Sequence, residues 1–311
     1  MNNQKTVRQM IQDNKASKRN LGNITEKVMP KFLLLCAIVS VLTTFGIVFT
    51  LIFETFNFFT QVSIVEFFTS PDWYPMHSNP SFGIRPLIMG TLTIAVIAIL
   101  VALPLGLAAA IFLSEYASDR TRRIIKPILE VLAGVPTIVY GFFALTFVTP
   151  LLQNIIPGLS IYNALSPGIV VGIMIIPMIA SLSEDAMSAV PNSIREGALA
   201  MGATKLEVAL KVVFPAALSG IIASIVLAIS RAIGETMIVT VAGGANPTSA
   251  IDITSAIQTM TAYIVQISLG DAGYGTTEYY SIYAVGMTLF VFTLLMNLVA
   301  YYISRRFREV Y

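Results

Sequence analysis

An all-α integral membrane protein with six transmembrane helices is what this chain encodes, and three features point there together. Of its 311 residues, 56% are hydrophobic and 12% charged, about half the charged share of a soluble domain, and the mean hydropathy is +0.78. Six apolar runs approach or exceed the ~20 residues of helix that cross a hydrocarbon core. Lysine and arginine gather almost wholly on one side of a six-span arrangement. With a single cysteine, Cys36, there is no intrachain disulfide, and with a single histidine, His77, no histidine-clustered metal site is expected. A net charge of +2 gives no reason to expect a nucleic-acid partner.

Residues 1–31 form a basic, polar segment with few apolar positions, read as mobile or held by anionic lipid. The first span, Phe32–Phe53, is 22 uncharged residues, longer than a signal-peptide core and without a cleavage site behind it. The loop 54–86 is aromatic (FNFFTQVSIVEFF, then Trp73 and Tyr74) and is expected to rest along the membrane interface. Leu87–Leu113 is the second, uncharged span. Glu115, Asp119, Arg120, Arg122, Arg123 and Lys126 then read as a solvated loop. The third span, Ile128–Thr149, is interrupted by Glu130, Gly134 and Pro136, and a short loop, 150–166, follows. Pro167–Ala186 is the fourth span. Pro177 interrupts it, and solvation or helix capping accounts for Glu184 and Asp185 at its end. Phe214–Val241 and Ile282–Ile303 complete the six. Between them, Ile253, Ile257, Met260 and Ile264 have the spacing of an amphipathic helix. No internal repeat is present.

Lysine and arginine number seven in residues 1–31, four in 114–127, three in 187–213 and three in 304–311, which is 17 of 19. The other side holds only Arg85, and Arg231 lies within the fifth span. Both termini are therefore expected in the cytoplasm. The layout is a cytoplasmic N-terminal segment 1–31, a transmembrane domain 32–304 and a cytoplasmic tail 305–311.

The longest structured segment on the basic side runs from Pro191 to Ile221, PNSIREGALAMGATKLEVALKVVFPAALSGI. Pro191 suits a helix start, with Asn192 or Ser193 as its cap. Gly202 interrupts the pattern, Thr204 caps a second short helix, and Pro215 marks the way into the fifth span. Small residues at Gly197, Ala198, Ala200, Gly202 and Ala203 let another backbone come close, making a knob suited to a groove on a partner. A linker lying on the membrane surface is the plainer alternative.

This segment resembles the EAA loop of ABC-importer permeases: EAA, three residues, Gly, nine residues, then I-x-L-P. Here Glu196, Gly197 and Ala198 are followed by Gly202, and then by Val212, Val213, Phe214 and Pro215. Gly197, Val212 and Phe214 depart from the pattern conservatively. FFTSPDWYPMHSNPSFGIRPLIMGTL, ALPLGLAAAIFLSEYA, EVLAGVPTIVYGFFAL, SRAIGETM and GMTLFVFTLLMNLV are similar to phosphate-specific permeases, the PstC-like branch more than the PstA-like one. The resemblance implies a type I ABC-importer permease fold and a coupling role for Glu196, Gly197, Ala198, Gly202 and Pro215. It also implies, as partners, a PstA-like second permease, a dimer of ATP-binding subunits and an external phosphate-binding protein, in a prokaryotic cell membrane. The ATPase must be a separate chain. A P-loop needs GxxxxGK[ST], whereas Ala203 and Thr204 follow Gly197 and Gly202, and no Gly-Lys pair occurs anywhere. No paired carboxylates or Ser/His/Asp set suggests an enzyme, and no cofactor is expected.

Arg231 and Glu235 are charges inside an apolar run, LAISRAIGETMIV. Four apart, they should share one helical face. Counted from Phe214, Arg231 lies roughly 25 Å along the axis at ~1.5 Å per residue, too deep for easy snorkelling. One reading is a structural ion pair that pins helices together. The other is a substrate pathway, because an arginine fork matches phosphate oxygens while a nearby carboxylate keeps the hold weak enough for release. The resemblance favours the pathway. Rival functions are a permease for sulfate, molybdate or tungstate, a stand-alone proton-coupled carrier using Glu235, and a membrane scaffold.

Overall fold

The computed structural model describes the backbone of residues 7–306 and the side chains of residues 28–302 apart from residue 271. The expected tail lies, from residue 307 on, outside the described residues. Two compact units divide the chain, Met1–Phe53 and Glu54–Tyr311. Helix α1 (Val7–Phe59) begins within the basic N-terminal segment, which is helical from Val7, and it runs past the expected end at Phe53. Lys, Arg, Gln and Glu are good helix formers. Farther on, Thr43, Thr44 and Thr50 donate to the carbonyls of Val39, Ser40 and Gly46 at 2.8, 3.0 and 2.9 Å. An exposed apolar helix so satisfied presents lipid with no unpaired hydroxyl at these positions.

The second unit continues with α2 (Ile64–Thr69) and an antiparallel hairpin, β1 (Trp73–Tyr74) with β2 (Ser81–Phe82), in which Trp73 faces Phe82. Helix α3 (Arg85–Ile111) ends in a π turn, Phe112–Tyr116. Next come α4 (Asp119–Ala133), α5 (Thr137–Phe143), a π turn at Ala144–Val148, α6 (Thr149–Gln153) and α7 (Leu165–Ser188). The loop after α7 carries α8 (Asn192–Ala200), α9 (Lys205–Val208), a third π turn at Ala209–Val213 and α10 (Phe214–Ala216). Helices α11 (Leu218–Ile233), α12 (Met237–Ala242), α13 (Met260–Gln266) with a fourth π turn at Ile267–Asp271, and α14 (Thr277–Arg306) complete the described residues.

Among the described residues, four helices are long and apolar enough to cross a membrane: Val28–Phe59 of α1, α3 with its π turn, α7, and Thr277–Tyr302 of α14. Two further candidates are helix pairs bent at a short break, Asp119–Ala133 with Thr137–Gln153 at 86° and Lys205–Ala216 with Leu218–Ile233 at 74°. Counting each pair once gives six. The third span is thus broken at Gly134–Pro136, because Pro136 lacks an N–H and pushes Val135 out of helical geometry. Its expected start at Ile128 falls inside α4, a charged helix with no buried residue. The fifth span turns at Ala217, so its straight part starts at Leu218 and not at Phe214.

Small residues let α3 and α7 meet closely. A Cβ on Gly172 would stand 2.8 Å from the Ala98 carbonyl oxygen, and Ala95, Ala98 and Ala102 are buried in the same cluster as Val170, Val171, Ile175 and Ile179. Ser183 of α7 bonds Ser224 of α11 at 2.7 Å. At one end of the bundle the aromatic loop is a core of its own and not merely an interfacial layer. Phe58, Phe67, Trp73 and Phe82 pack with Met260 and Tyr263, and the Trp73 and Tyr263 rings meet edge-on at 4.9 Å. The amphipathic helix expected from Ile253 starts only at Met260. Upstream, Ser160 and Leu165 donate their N–H groups to the carbonyls of Thr254 and Ile253, while the Ile257 N–H donates to Gly243. Those pairings hold this stretch, with its turn at residues 253–255, out of helical geometry until Thr259 caps α13 through the Ala262 N–H.

Candidate functional site

The loop between the fourth and fifth spans is built by a specific helix stop. After α8, the Gly202 N–H donates to the Leu199 carbonyl at 2.9 Å and the Ala203 N–H to that of Ala198 at 3.2 Å, the paired bonds of a Schellman motif. Gly202 has φ +90°, a left-handed conformation that favours glycine. Thr204 and Glu207 then form a reciprocal capping box for α9. The Thr204 backbone N–H and the Lys211 ammonium, with the Thr204 hydroxyl, hold the Glu207 carboxyl down at about 2. Asn192 does not cap α8; Pro191 precedes the helix, and the Asn192 side chain accepts from Arg195 instead.

The small residues of this loop divide into two sets. Ala198 and Ala203 turn inward, packed on a core of Met187, Val190, Val208 and Val213. Glu196, Gly197, Ala200 and Gly202 are exposed, and a Cβ at Gly197 or Gly202 would meet nothing within 4 Å. Around them Leu199, Met201 and Leu206 are also exposed, Met201 to 88%. The result is a knob with an apolar outer face. Pro215 sits in α10, just before the 74° turn into α11.

Ion pairs tie this end of the bundle together, and the sequence reading missed them. Glu115 is no solvated loop residue: its Oε1 accepts from Arg195 Nε and Nη2 at 3.2 and 3.1 Å. Glu184, whose side chain is fully buried, accepts from Lys126 at 3.0 Å and from Ser188 at 2.9 Å, and pairs with Arg122 as well. Lys126 also reaches Asp185 at 2.6 Å. Asp185, with Glu184 beside it, holds the Lys126 ammonium above its ordinary value. The i, i+4 spacing of Arg122 and Lys126 was the available signal, since it puts two cations on one face of α4.

Arg231 and Glu235 do not share a helical face. Helix α11 ends at Ile233, and Gly234–Thr236 separates it from α12. Glu235 is buried, 7% exposed. Its Oε1 accepts from the N–H groups of Met237 and Ile238 at 3.1 and 3.3 Å, which caps α12, and its carbonyl accepts from the Thr261 hydroxyl at 2.7 Å. Arg231 is exposed and makes no ion pair with Glu235 or with any other described residue. The hydroxyls near it are otherwise engaged. Ser230 donates to Asn297 Oδ1 of α14 at 2.8 Å, Thr236 to the Gly234 carbonyl and Thr240 to that of Thr236. Asn297, a polar side chain in an apolar span, was not anticipated.

Residues 102–309 match the family described as binding-protein-dependent transport system inner membrane component. Among relatives, the probable ABC transporter permease protein YqgH of Bacillus subtilis is 36% identical over 248 residues, covering 79% of each chain. The phosphate transport system permease protein PstC of Mesorhizobium japonicum is 35% identical over 260 residues, covering 78% of each. Among solved structures, a bacterial ABC transporter involved in the import of the acidic polysaccharide alginate superposes with a TM-score of 0.64 at 18% identity, over 92% of this chain and 100% of that one. The MetNI methionine ABC transporter does so at 0.53 and 18%, over 73% and 95%. These two share the fold. Membership of the family implies ATP-binding and substrate-binding partners. With six spans, a matching fold and relatives of this kind, the chain belongs to the binding-protein-dependent transport system inner membrane components and is a permease subunit of an ABC importer.

Proposed function

We propose that this permease imports inorganic phosphate and that Arg231 meets the anion in the membrane. The observation that supports it is an exposed guanidinium, without an ion pair among the described residues, 13 residues beyond Leu218, roughly 20 Å along α11 at ~1.5 Å per residue. An arginine at such depth is costly unless it faces a cavity or pathway. Its planar fork suits a phosphate oxygen pair, and the PstC name of a relative points to the same substrate. The structural ion-pair reading finds no support in the geometry. Glu235, held in a backbone cap, leaves Arg231 free for the anion, and its nearby negative charge limits how long the anion stays.

In this reading the basic segments, residues 1–31 and 305–311 included, lie in the cytoplasm, and residues 32–304 form half of the path. A PstA-like permease supplies the other half. The knob of Glu196, Gly197 and Gly202, backed by Ala198 and followed by Pro215, docks on a dimer of ATP-binding subunits, and an external phosphate-binding protein delivers the substrate. Uptake of phosphate by the complete complex in liposomes tests this. Arg231→Gln should lower uptake about 10- to 150-fold, the worth of a charge-assisted interaction of about 1.5–3 kcal/mol, with the complex still assembled. Arg231→Lys should retain part of the activity. Uptake undiminished in Arg231→Gln would refute the role. Stimulation by a sulfate- or molybdate-loaded binding protein, and not by a phosphate-loaded one, would reassign the substrate.

A further inference from the structure

We propose that Arg195 is a positioning residue for transport: with Glu115 it forms a strut that makes the ends of α3 and α7 follow the loop in which it sits. The inference rests on the docking role given to that loop, and it concerns what happens on the loop's inner side. A guanidinium has five N–H bonds, and all five are used here. Nε and one Nη2 bond go to Glu115 Oε1 at 3.2 and 3.1 Å, and the second Nη2 bond goes to the Met187 carbonyl at 2.7 Å. Nη1 donates to the Val190 carbonyl and to Asn192 Oδ1. Three separate pieces of chain meet at one side chain: α8 itself, the last turn of α7 with the residues after it, and the π turn that ends α3.

The surroundings make this junction stiff. The Arg195 and Glu115 side chains are only 15% and 10% exposed, so solvent weakens their attraction less than at an open surface. Ser114 donates to the same Glu115 oxygen at 3.0 Å. Glu115 reaches the arginine from a π turn closed by the Ala117 N–H on the Phe112 carbonyl at 2.8 Å. Such a turn carries one residue more than α geometry would, a device frequent at functional sites. Farther along, α3 and α7 are locked together where Gly172 meets Ala98. Four of these bonds leave α8, the fifth staying within it on Asn192, so a shift of α8 cannot leave α7 and α3 behind unless four hydrogen bonds break at once. Lysine could not replace the arginine, having three donors on a point charge in place of a fork.

The test uses the complete transporter with its ATP-binding subunits and binding protein. Arg195→Gln and Glu115→Gln should leave co-purification of the ATP-binding subunits and basal ATP hydrolysis unchanged, which separates this proposal from a failure of docking. Phosphate taken up per ATP hydrolysed should fall about 2- to 30-fold, the range of measured coupling changes. Combining both substitutions should add little to Arg195→Gln alone. Spin labels on cysteines replacing Ser193 and Tyr116 give the direct readout. Their separation should be the same with and without bound ATP in the otherwise wild-type complex, and should come to depend on nucleotide in Glu115→Gln. Should Arg195→Gln fail to assemble, the milder Glu115→Gln decides. A separation that already changes with nucleotide in wild type, or an unaltered uptake-to-ATP ratio in Glu115→Gln, would overturn the proposal.

Discussion

Glu235 holds the first turn of α12 through two backbone N–H groups, so its substitutions should separate geometry from charge. Glu235→Ala is expected to cost about 1 kcal/mol, as loss of a helix cap does, seen as a lower melting temperature of the purified permease. Glu235→Gln keeps an accepting oxygen and should melt like wild type. Under the proposed role of Arg231 it should still transport more slowly, because an anion there would no longer be repelled. Gly202 offers a second single-residue test. Alanine there must adopt a left-handed conformation at about 1–2 kcal/mol although nothing lies within 4 Å of its Cβ. Gly202→Ala should therefore loosen α8 and weaken co-purification with the ATP-binding subunits, while Gly202→Asn, which tolerates that conformation, should do so less. That a charge lies within the apolar run at Arg231 was legible in the sequence, because charges in such runs are conspicuous. Its separation from Glu235 was not, since spacing of four implies a shared face only where the helix is continuous.

Helix α4 rests on α7 through Arg122 and Lys126, which grip the fully buried Glu184. Both cations are partly exposed, 37% and 26% at the side chain, and can turn to water if the carboxylate is lost. Glu184→Gln should then cost about 1–3 kcal/mol, less than the 3–5 of a wholly buried pair, and thermal melting would show it. The pH dependence follows from the raised Lys126 value. A raised ammonium contributes stability in full below its unfolded value and loses it as pH rises through the higher folded one, so the α4–α7 contact should weaken only above about pH 10.4. Glu207 behaves oppositely. Its cap is complete above about pH 4.3 and should fade as pH falls toward about 2, which amide exchange at residues 204–208 would register. Straight spans were readable because long uncharged runs have few other uses. The breaks at Gly134 and Pro136 were visible too, but an 86° angle depends on tertiary contacts such as the Glu184 clamp, whose members lie about 60 residues apart.

For the molecule as a whole, the one-sided lysines and arginines make the sharpest forecast. In a background without Cys36, cysteines replacing Ser78 and Thr276 should react with membrane-impermeant reagents from outside, and those replacing Ser193 and Met201 only from within. Labelling of position 193 from outside would invert the topology. Six crossings and the knob at Gly202 could be foreseen because each is specified locally, by about 20 apolar residues or by a glycine stop. The joining of distant segments, such as Trp73 on Tyr263 or Arg195 on Glu115, has no local signature. The π turns have a consequence for ancestry. Of the four described, those at Ala144–Val148 and Ala209–Val213 carry an extra residue between helical segments, and those at Phe112–Tyr116 and Ile267–Asp271 carry it in the turn that closes α3 and α13. Sister genes aligned to this one should show one-residue gaps at those places. A lineage lacking the insertion at Phe112–Tyr116 would have its acid rotated by about 100°, and its arginine at the matching loop position should have drifted as well.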